Sequence, residues 1–227
     1  MAYEPAELAK IRSYVPYPKP LPEAVKAAAE LIGRAQRPYA LVGQGVELGE
    51  AHEELKAFLE KGNIPAARTL LGLSALPSDY PLTMGMLGMH GNLSCNINTN
   101  QADVIIAIGM RFSDRVTGDL TTYAKQAKII HLDIDRAEID KCVKADIPVI
   151  GDCKETLPLI TELMPEGNHK EWIESFADYD AIEQERVIDK ALNPKEGPIK
   201  MGEVARCVSD ATNNSAILVT DVGQNQM

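Results

Sequence analysis

Apolar positions along the chain follow two rhythms that alternate from one stretch to the next. Leu21–Ala35 (LPEAVKAAAELIGRA) places Val25, Ala28, Ala29, Leu31 and Ile32 three and four apart behind Pro22, which predicts a helix. Tyr39–Gly43 (YALVG) is a short continuous apolar run that ends in Gly43-Gln44-Gly45. Glu50–Lys61 sets Leu55, Phe58 and Leu59 on one helical face, and Gly62 is expected to stop it. Ile64–Arg68, Asp103–Gly109 (DVIIAIG), Ala127–Asp135 (AKIIHLDID) and Ile147–Asp152 (IPVIGD) read as further strands, the last leading into a helix over Lys154–Met164. Strands thus alternate with helices at five places between Tyr39 and Asp152. They are mostly unbroken apolar runs, the form taken by a parallel sheet covered on both faces.

Outside that unit the pattern changes. Residues 1–20 end in VPYPKP, whose prolines favour extended backbone and suggest a linker. After Pro165-Glu166-Gly167, Trp172–Leu192 has a polar helical pattern and Asn193–Ile199 (NPKEGPI) reads as a connector. Met201–Asn213 predicts a helix and Ala216–Gly223 (AILVTDVG) a strand. A strand without its next helix suggests the opening of a further unit, so the chain is expected to be a piece of a longer protein.

At 227 residues, with 45% apolar and 25% charged residues, the composition is that of a globular protein. A formal net charge of -10 with no basic tract argues against a general nucleic-acid binder. No window is apolar enough to span a bilayer and no signal-peptide pattern opens the chain, so a cytoplasmic location is expected. Cys95, Cys142, Cys153 and Cys207 are widely separated and read as reduced structural thiols. His52, His90, His131 and His169 form no metal-ligand pair, and no metal site is expected.

The candidate chemistry gathers between Gly85 and Gly118. GMLGMHGN (Gly85–Asn92) carries three glycines, which permit unusual dihedrals and let a ligand approach the main chain. The run DVIIAIG is followed at once by MRFSDRVTG, with Arg111, Asp114 and Arg115 at a strand's carboxyl end. Ligands of open parallel sheets bind there, and guanidinium groups suit phosphate. Each half alone reads as a buried strand with a solvated turn; together they favour a nucleotide site. Asp133 is placed to accept from a ribose hydroxyl, whereas Asp135, with Glu138 three residues on, reads as a helix cap. Gly43-x-Gly45 lacks the third glycine of a dinucleotide fingerprint and is weak evidence by itself.

GMLGMHG, RFSDRVTG, HLDID, VIGD and the terminal TDVGQNQM, in this order and spacing, resemble the large catalytic subunit of the acetolactate synthase family, thiamine diphosphate-dependent enzymes. The resemblance runs from about Leu21 to Met227. It implies an α/β fold: an open six-stranded parallel sheet with helices on both faces, a Rossmann-like middle domain that binds FAD. It further implies a linker over 1–20, the FAD-binding domain over 21–166 and a connecting helix and linker over 167–198. A truncated start of the thiamine diphosphate-binding domain would follow over 199–227, with its helix and strand. FAD contacts would fall on Gly43, Gly45, Thr69, Leu70, Leu71, Met89, His90, Gly109, Met110, Arg111, Ser113, Arg115, Val116, Asp133, Ile134, Gly151 and Asp152. Arg12 matches an arginine found before this domain. Val222, Gly223 and Gln224 would hold the thiamine diphosphate phosphates. Ser113 stands where the family has aspartate, and Asn225 where it has histidine.

By the same resemblance the parent enzyme condenses pyruvate with a second 2-oxoacid, with loss of CO2, using thiamine diphosphate and Mg2+. FAD would have no redox role, and the partners would be like subunits and a small regulatory subunit. The family's catalytic glutamate and magnesium motif have no counterpart in this sequence, so the chain alone is expected to be inactive. Rival readings are another thiamine diphosphate carboligase or pyruvate oxidase, a nicotinamide-dependent oxidoreductase, or an empty structural module.

Overall fold

A computed structural model of the protein describes residues 15–221 and 223. It opens with α1 (Pro22–Ile32), β1 (Pro38–Val42), the short α2 (Gln44–Leu48), α3 (His52–Gly62), β2 (Ala66–Arg68) and β3 (Thr83–Met86). Then come α4 (Leu93–Thr99), β4 (Val104–Ile108), the single-turn α5 (Asp114–Thr117), β5 (Lys128–Asp133), β6 (Ile147–Ile150) and α6 (Cys153–Leu163). The chain continues through α7 (Lys170–Glu183), α8 (Asp189–Leu192) and α9 (Met201–Ala211). The six strands form one parallel sheet in the order β3-β2-β1-β4-β5-β6, as the resemblance implied.

Side-chain alternation along the strands feeds two cores, because successive residues point to opposite faces. Ala40, Val42, Ile106, Ile108, Ile130 and Leu132 join α1, α3 and α6 through Ala28, Phe58 and Ile160. Tyr39, Leu41, Ile105, Ala107 and Ile129 face the other way, toward Cys95 of α4 and Trp172 and Phe176 of α7. Burial on both faces explains why the strands read as continuous apolar runs.

Several boundaries differ from the sequence reading. Between Tyr39 and Asp152 the residue pattern gave five strands. The sixth, β3, has a half-buried TMGM sequence and takes Gly85 and Met86 out of the expected glycine loop. Gly62 is the last residue of α3, and Asn63 adopts the left-handed conformation (φ 46°) that ends it, which asparagine tolerates. Gly62 instead packs closely, with Gly167 against its carbonyl. No helix follows Asp135: its Oδ1 accepts from Ala137 N (2.8 Å), its own N–H goes to Asp133 Oδ1 (2.8 Å), and Glu138 pairs with Lys141. The capping box is therefore not formed.

The expected strand Ala216–Gly223 is also absent over residues 216–221. Ile217 and Val219 are 93% and 86% exposed, and no strand among the described residues pairs with the segment. An apolar run becomes a strand only with a ladder partner, and this one has none there. Val222 and Gln224, like Arg12 and Asn225, lie outside the described residues. No helix among the described residues is long and apolar enough to cross a membrane.

The polar pattern of Trp172–Leu192 conceals a docking face. Trp172 is 6% exposed and Phe176 is 1%, both edge-on to Tyr39, and the indole N–H donates to Pro38 O at 2.9 Å. Glu183 accepts from Asn92 Nδ2 (3.0 Å) and Leu93 N (3.1 Å), tying the end of α7 to the start of α4. The helix then loosens into a π turn over Gln184–Ile188 before α8. Two aromatic residues thus hold an otherwise polar helix. Trp172→Ala should destabilise the chain by about 3–5 kcal/mol in chemical denaturation. A loss below about 1 kcal/mol, the level of an ordinary surface change, would mean the helix is not docked in solution.

Candidate functional site

All six strands point their carboxyl ends the same way, and the strand order reverses between β1 and β4. The chain leaves those two neighbours toward opposite faces, which opens a crevice between their exits. What lies at its floor is backbone on backbone. Gly43 N donates to Ile108 O (2.9 Å) and Gly45 N to Gly109 O (3.0 Å). A methyl group on Gly45 would stand 2.7 Å from Gly109 Cα, and one on Gly43 would strike the Gly109 carbonyl. Gly109 itself has φ +57°, a conformation that L side chains rarely adopt. These glycines are required so that the two exit loops can touch.

Above that floor is a cleft of about 690 Å³. It is lined by fourteen residues expected from the sequence: Gly43, Gly45, Thr69, Leu70, Leu71, Gly109, Met110, Arg111, Ser113, Arg115, Val116, Asp133, Ile134 and Asp152. Three others do not line it. Met89 and His90 sit on the neighbouring loop, where Met89 N donates to Arg115 O at 2.8 Å and the Met89 side chain is exposed. Gly151 lies beneath Pro20, whose ring would meet a methyl group there at 3.1 Å. Gly223 is also not among the lining residues.

The cleft also includes residues that the sequence reading did not place there, among them Asp135 and Glu138, which it assigned to a helix cap. Gln44, Leu48 and Gly49 come from the turn and helix behind Gly43, Phe112 from the β4 exit, and Asp135, Glu138 and Cys153 from the β5 and β6 exits. Leu48 had a visible signal, an apolar residue in a glycine-flanked turn; it is 74% exposed. Tyr17 had none, because only the fold brings the segment before α1 to the cleft mouth. That segment is fixed by Lys19, which pairs with Glu155.

The cleft is electrically two-sided. At the β4 exit Arg111 and Arg115 are exposed, and neither guanidinium makes a hydrogen bond or ion pair among the described residues. Asp133, Asp135, Glu138 and Asp152 stand at the β5 and β6 exits. Asp152 also caps α6, accepting from Lys154 N at 2.9 Å. Cys153 is buried behind it, its thiol pushed up to about 12 by burial and by the charges of Asp152 and Asp133. It is therefore a packing residue at neutral pH rather than a nucleophile. The walls are apolar: Leu48, Leu70, Leu71 and Ile134 are all left open to solvent.

Residues 25–160 match the family described as thiamine pyrophosphate enzyme, central domain. The chain belongs to this family. The matched stretch holds the entire sheet of this thiamine pyrophosphate enzyme central domain and most of α6. Among named relatives, the chain is 44% identical over 211 residues to the probable acetolactate synthase large subunit of Methanocaldococcus jannaschii, covering 91% of this chain and 36% of that protein. It is 39% identical to the acetolactate synthase large subunit of Corynebacterium glutamicum, covering 94% and 34%. With the acetolactate synthase isozyme 3 large subunit of Escherichia coli it shares 34% identity, covering 97% and 39%. The chain therefore spans 34–39% of the length of these curated relatives.

In this central domain Asp133 is the acid most withdrawn from water, at 7% exposure. Burial raises its carboxyl above the usual carboxylate range, opposed by the Asp135 N–H and by His131, whose Nε2 lies 3.9 Å from Oδ2. A raised folded-state value means the native chain holds its proton more tightly than the unfolded one. Stability from this group is then greatest in acid and falls as pH rises through the folded value. Asp133→Asn keeps an oxygen for the Asp135 N–H and removes the buried charge. At pH 7 the variant's unliganded Tm should equal or exceed that of the parent, and the gap should close on acidification. A variant that melts lower at pH 7 than the parent, with the gap widening as pH rises, would contradict this account.

Proposed function

We propose that this chain is the FAD-holding central part of an acetolactate synthase large subunit. The reading draws on the names of the relatives and on the chemistry of the cleft. In the complete enzyme, pyruvate condenses with pyruvate or 2-oxobutyrate with loss of CO2, a step toward branched-chain amino acids. Thiamine diphosphate and Mg2+ supply the carbon–carbon chemistry there. Like subunits and a small regulatory subunit are the partners.

The observation that carries the flavin assignment is one cleft with uncovered apolar walls and two unpaired arginines at one end. Large apolar side chains exposed side by side in a concavity mark a ligand site. Leu48, Leu70, Leu71 and Ile134 suit planar rings, and Arg111 and Arg115 suit a diphosphate. Asp133 and its neighbours suit ribose hydroxyls and repel a misplaced phosphate. The cleft's 690 Å³ falls within the range of about 300–1,000 Å³ usual for small-molecule sites.

A nicotinamide dinucleotide seated in the ordinary way is disfavoured by the first turn. There the diphosphate would use the amides behind β1, yet Gly43, Gly45 and Val46 donate theirs to Ile108, Gly109 and Gly43. In this reading FAD, when bound, supplies a rigid filling for the cleft and no electrons to the net condensation. The protein's own work is to hold it: Arg111 and Arg115 neutralise the diphosphate, Asp133 orients a ribose, and the leucines exclude water from the rings.

Titration of the chain with FAD, followed by flavin fluorescence, tests this. One site should saturate, NAD should not compete, and Arg115→Ala should weaken binding by about tenfold, the loss of one charge-assisted contact. No saturable binding, or unchanged affinity in Arg115→Ala together with Arg111→Ala, would overturn the reading.

A further inference from the structure

The loop that leaves β4 carries Met110, Arg111, Phe112 and Ser113, and its side chains alternate. All four border the cleft, but Met110 and Phe112 are buried, 3% and 1% exposed, while Arg111 is exposed and Ser113 half-buried. The alternation is not that of a relaxed strand. Gly109 has φ +57° and Phe112 φ +50°, so the backbone turns left-handed twice within four residues. For a bulky residue such as phenylalanine the left-handed region is costly and persists only where the surroundings impose it.

The imposing group is on the neighbouring strand. His131 of β5 is fully buried, and its Nε2 lies 2.9 Å from the Met110 carbonyl. A carbonyl only accepts, so Nε2 carries the hydrogen and Nδ1 is bare. Nδ1 is buried and has no hydrogen-bond partner among the described residues. Burial pushes the imidazole below its ordinary value despite Asp133, which keeps it neutral in this tautomer. The same ring meets Phe112 edge-on, with centroids 5.1 Å apart, and Phe112 is backed by Tyr123 at 6.2 Å. One side chain therefore grips the loop at both of its inward residues.

We propose that His131 is the positioning residue of the nucleotide cleft: it fixes Met110 by hydrogen bond and Phe112 by ring contact, and so turns Arg111 and Ser113 out to the ligand. The inference rests on the flavin reading above and deepens it. His131 is not among the residues that line the cleft; it acts through the loop.

Two variants separate the hydrogen bond from the packing. His131→Gln keeps an amide N–H near the Nε2 position, whereas His131→Leu fills the space without a donor. FAD affinity should stay within about threefold of the parent in His131→Gln and fall about tenfold in His131→Leu, one hydrogen bond's worth. The two should melt within a few degrees of each other, so a general loss of stability does not account for the difference. Equal affinity in His131→Leu and the parent, or equal loss in both variants, would overturn the assignment. Should His131→Leu fail to fold, the parent itself gives the answer by NMR. Saturating FAD should slow exchange of the His131 Nε2 proton about tenfold, as the loop it holds is closed by ligand. Unchanged exchange would overturn it. Failure of the parent to bind FAD sinks the flavin reading, whereas parental binding with an indifferent His131→Leu sinks this inference alone.

Discussion

The cleft rests on a close contact between two pieces of backbone. Where the strand order reverses, the exits of β1 and β4 touch through Gly43, Gly45 and Gly109, with no side chain between them. Two amides behind β1 are thereby committed to the β4 exit. That commitment decides what the crevice above can offer a ligand. In the proposed flavin reading, phosphate recognition would pass from the first turn, where many doubly wound sheets place it, to the arginines after β4. The same contact fixes where the β4 loop begins, and hence which of its residues point into the cleft.

The rest of the site follows from how that loop is held. Its inward residues are gripped by a buried histidine and an aromatic cluster, and its outward residues remain unpaired. The pattern is familiar in binding sites: strain and unsatisfied charge at the surface of contact, over-determined packing behind it. Asp133 repeats it on the next strand, a carboxylate drawn out of water and supported by one backbone amide. A site assembled this way costs the empty protein some stability, and a bound nucleotide that meets those groups recovers it.

Much of this was legible in the residues. The strands buried on both faces announced themselves as unbroken apolar runs, and the arginines and Asp133 were visible because they stand directly after such runs. The edge strand β3 was not, because TMGM is short, half-buried and glycine-containing, which a periodicity reading takes for loop. Helix α7 was legible as a polar helix, but its docking was not, because two buried aromatics suffice for it. Ala216–Asp221 erred in the opposite direction: it has strand composition but no ladder partner among the described residues, and composition cannot supply one. Met89 and His90 sit beside the cleft rather than in it, on a loop held by contacts far apart in sequence such as Met89 N to Arg115 O, and by the paired bonds between Gly88 and the Asn96 amide. Tyr17 and Glu138 reach the cleft only through the fold. Glycine proved the least transparent residue: Gly43-x-Gly45 read only as weak evidence or a tight turn, and the close backbone approach to Gly109 that it permits is visible only in the fold.

Amide hydrogen exchange, mapped along the chain with and without FAD, tests the central claim most directly. Binding at the switch point should slow exchange in segments 44–49, 69–72, 109–116 and 133–138, which line the cleft, and leave 52–56 and 73–78, on the flank of the sheet, unchanged. Protection confined to that flank, or spread evenly over the molecule with no concentration at the β1, β2, β4 and β5 exits, would contradict it.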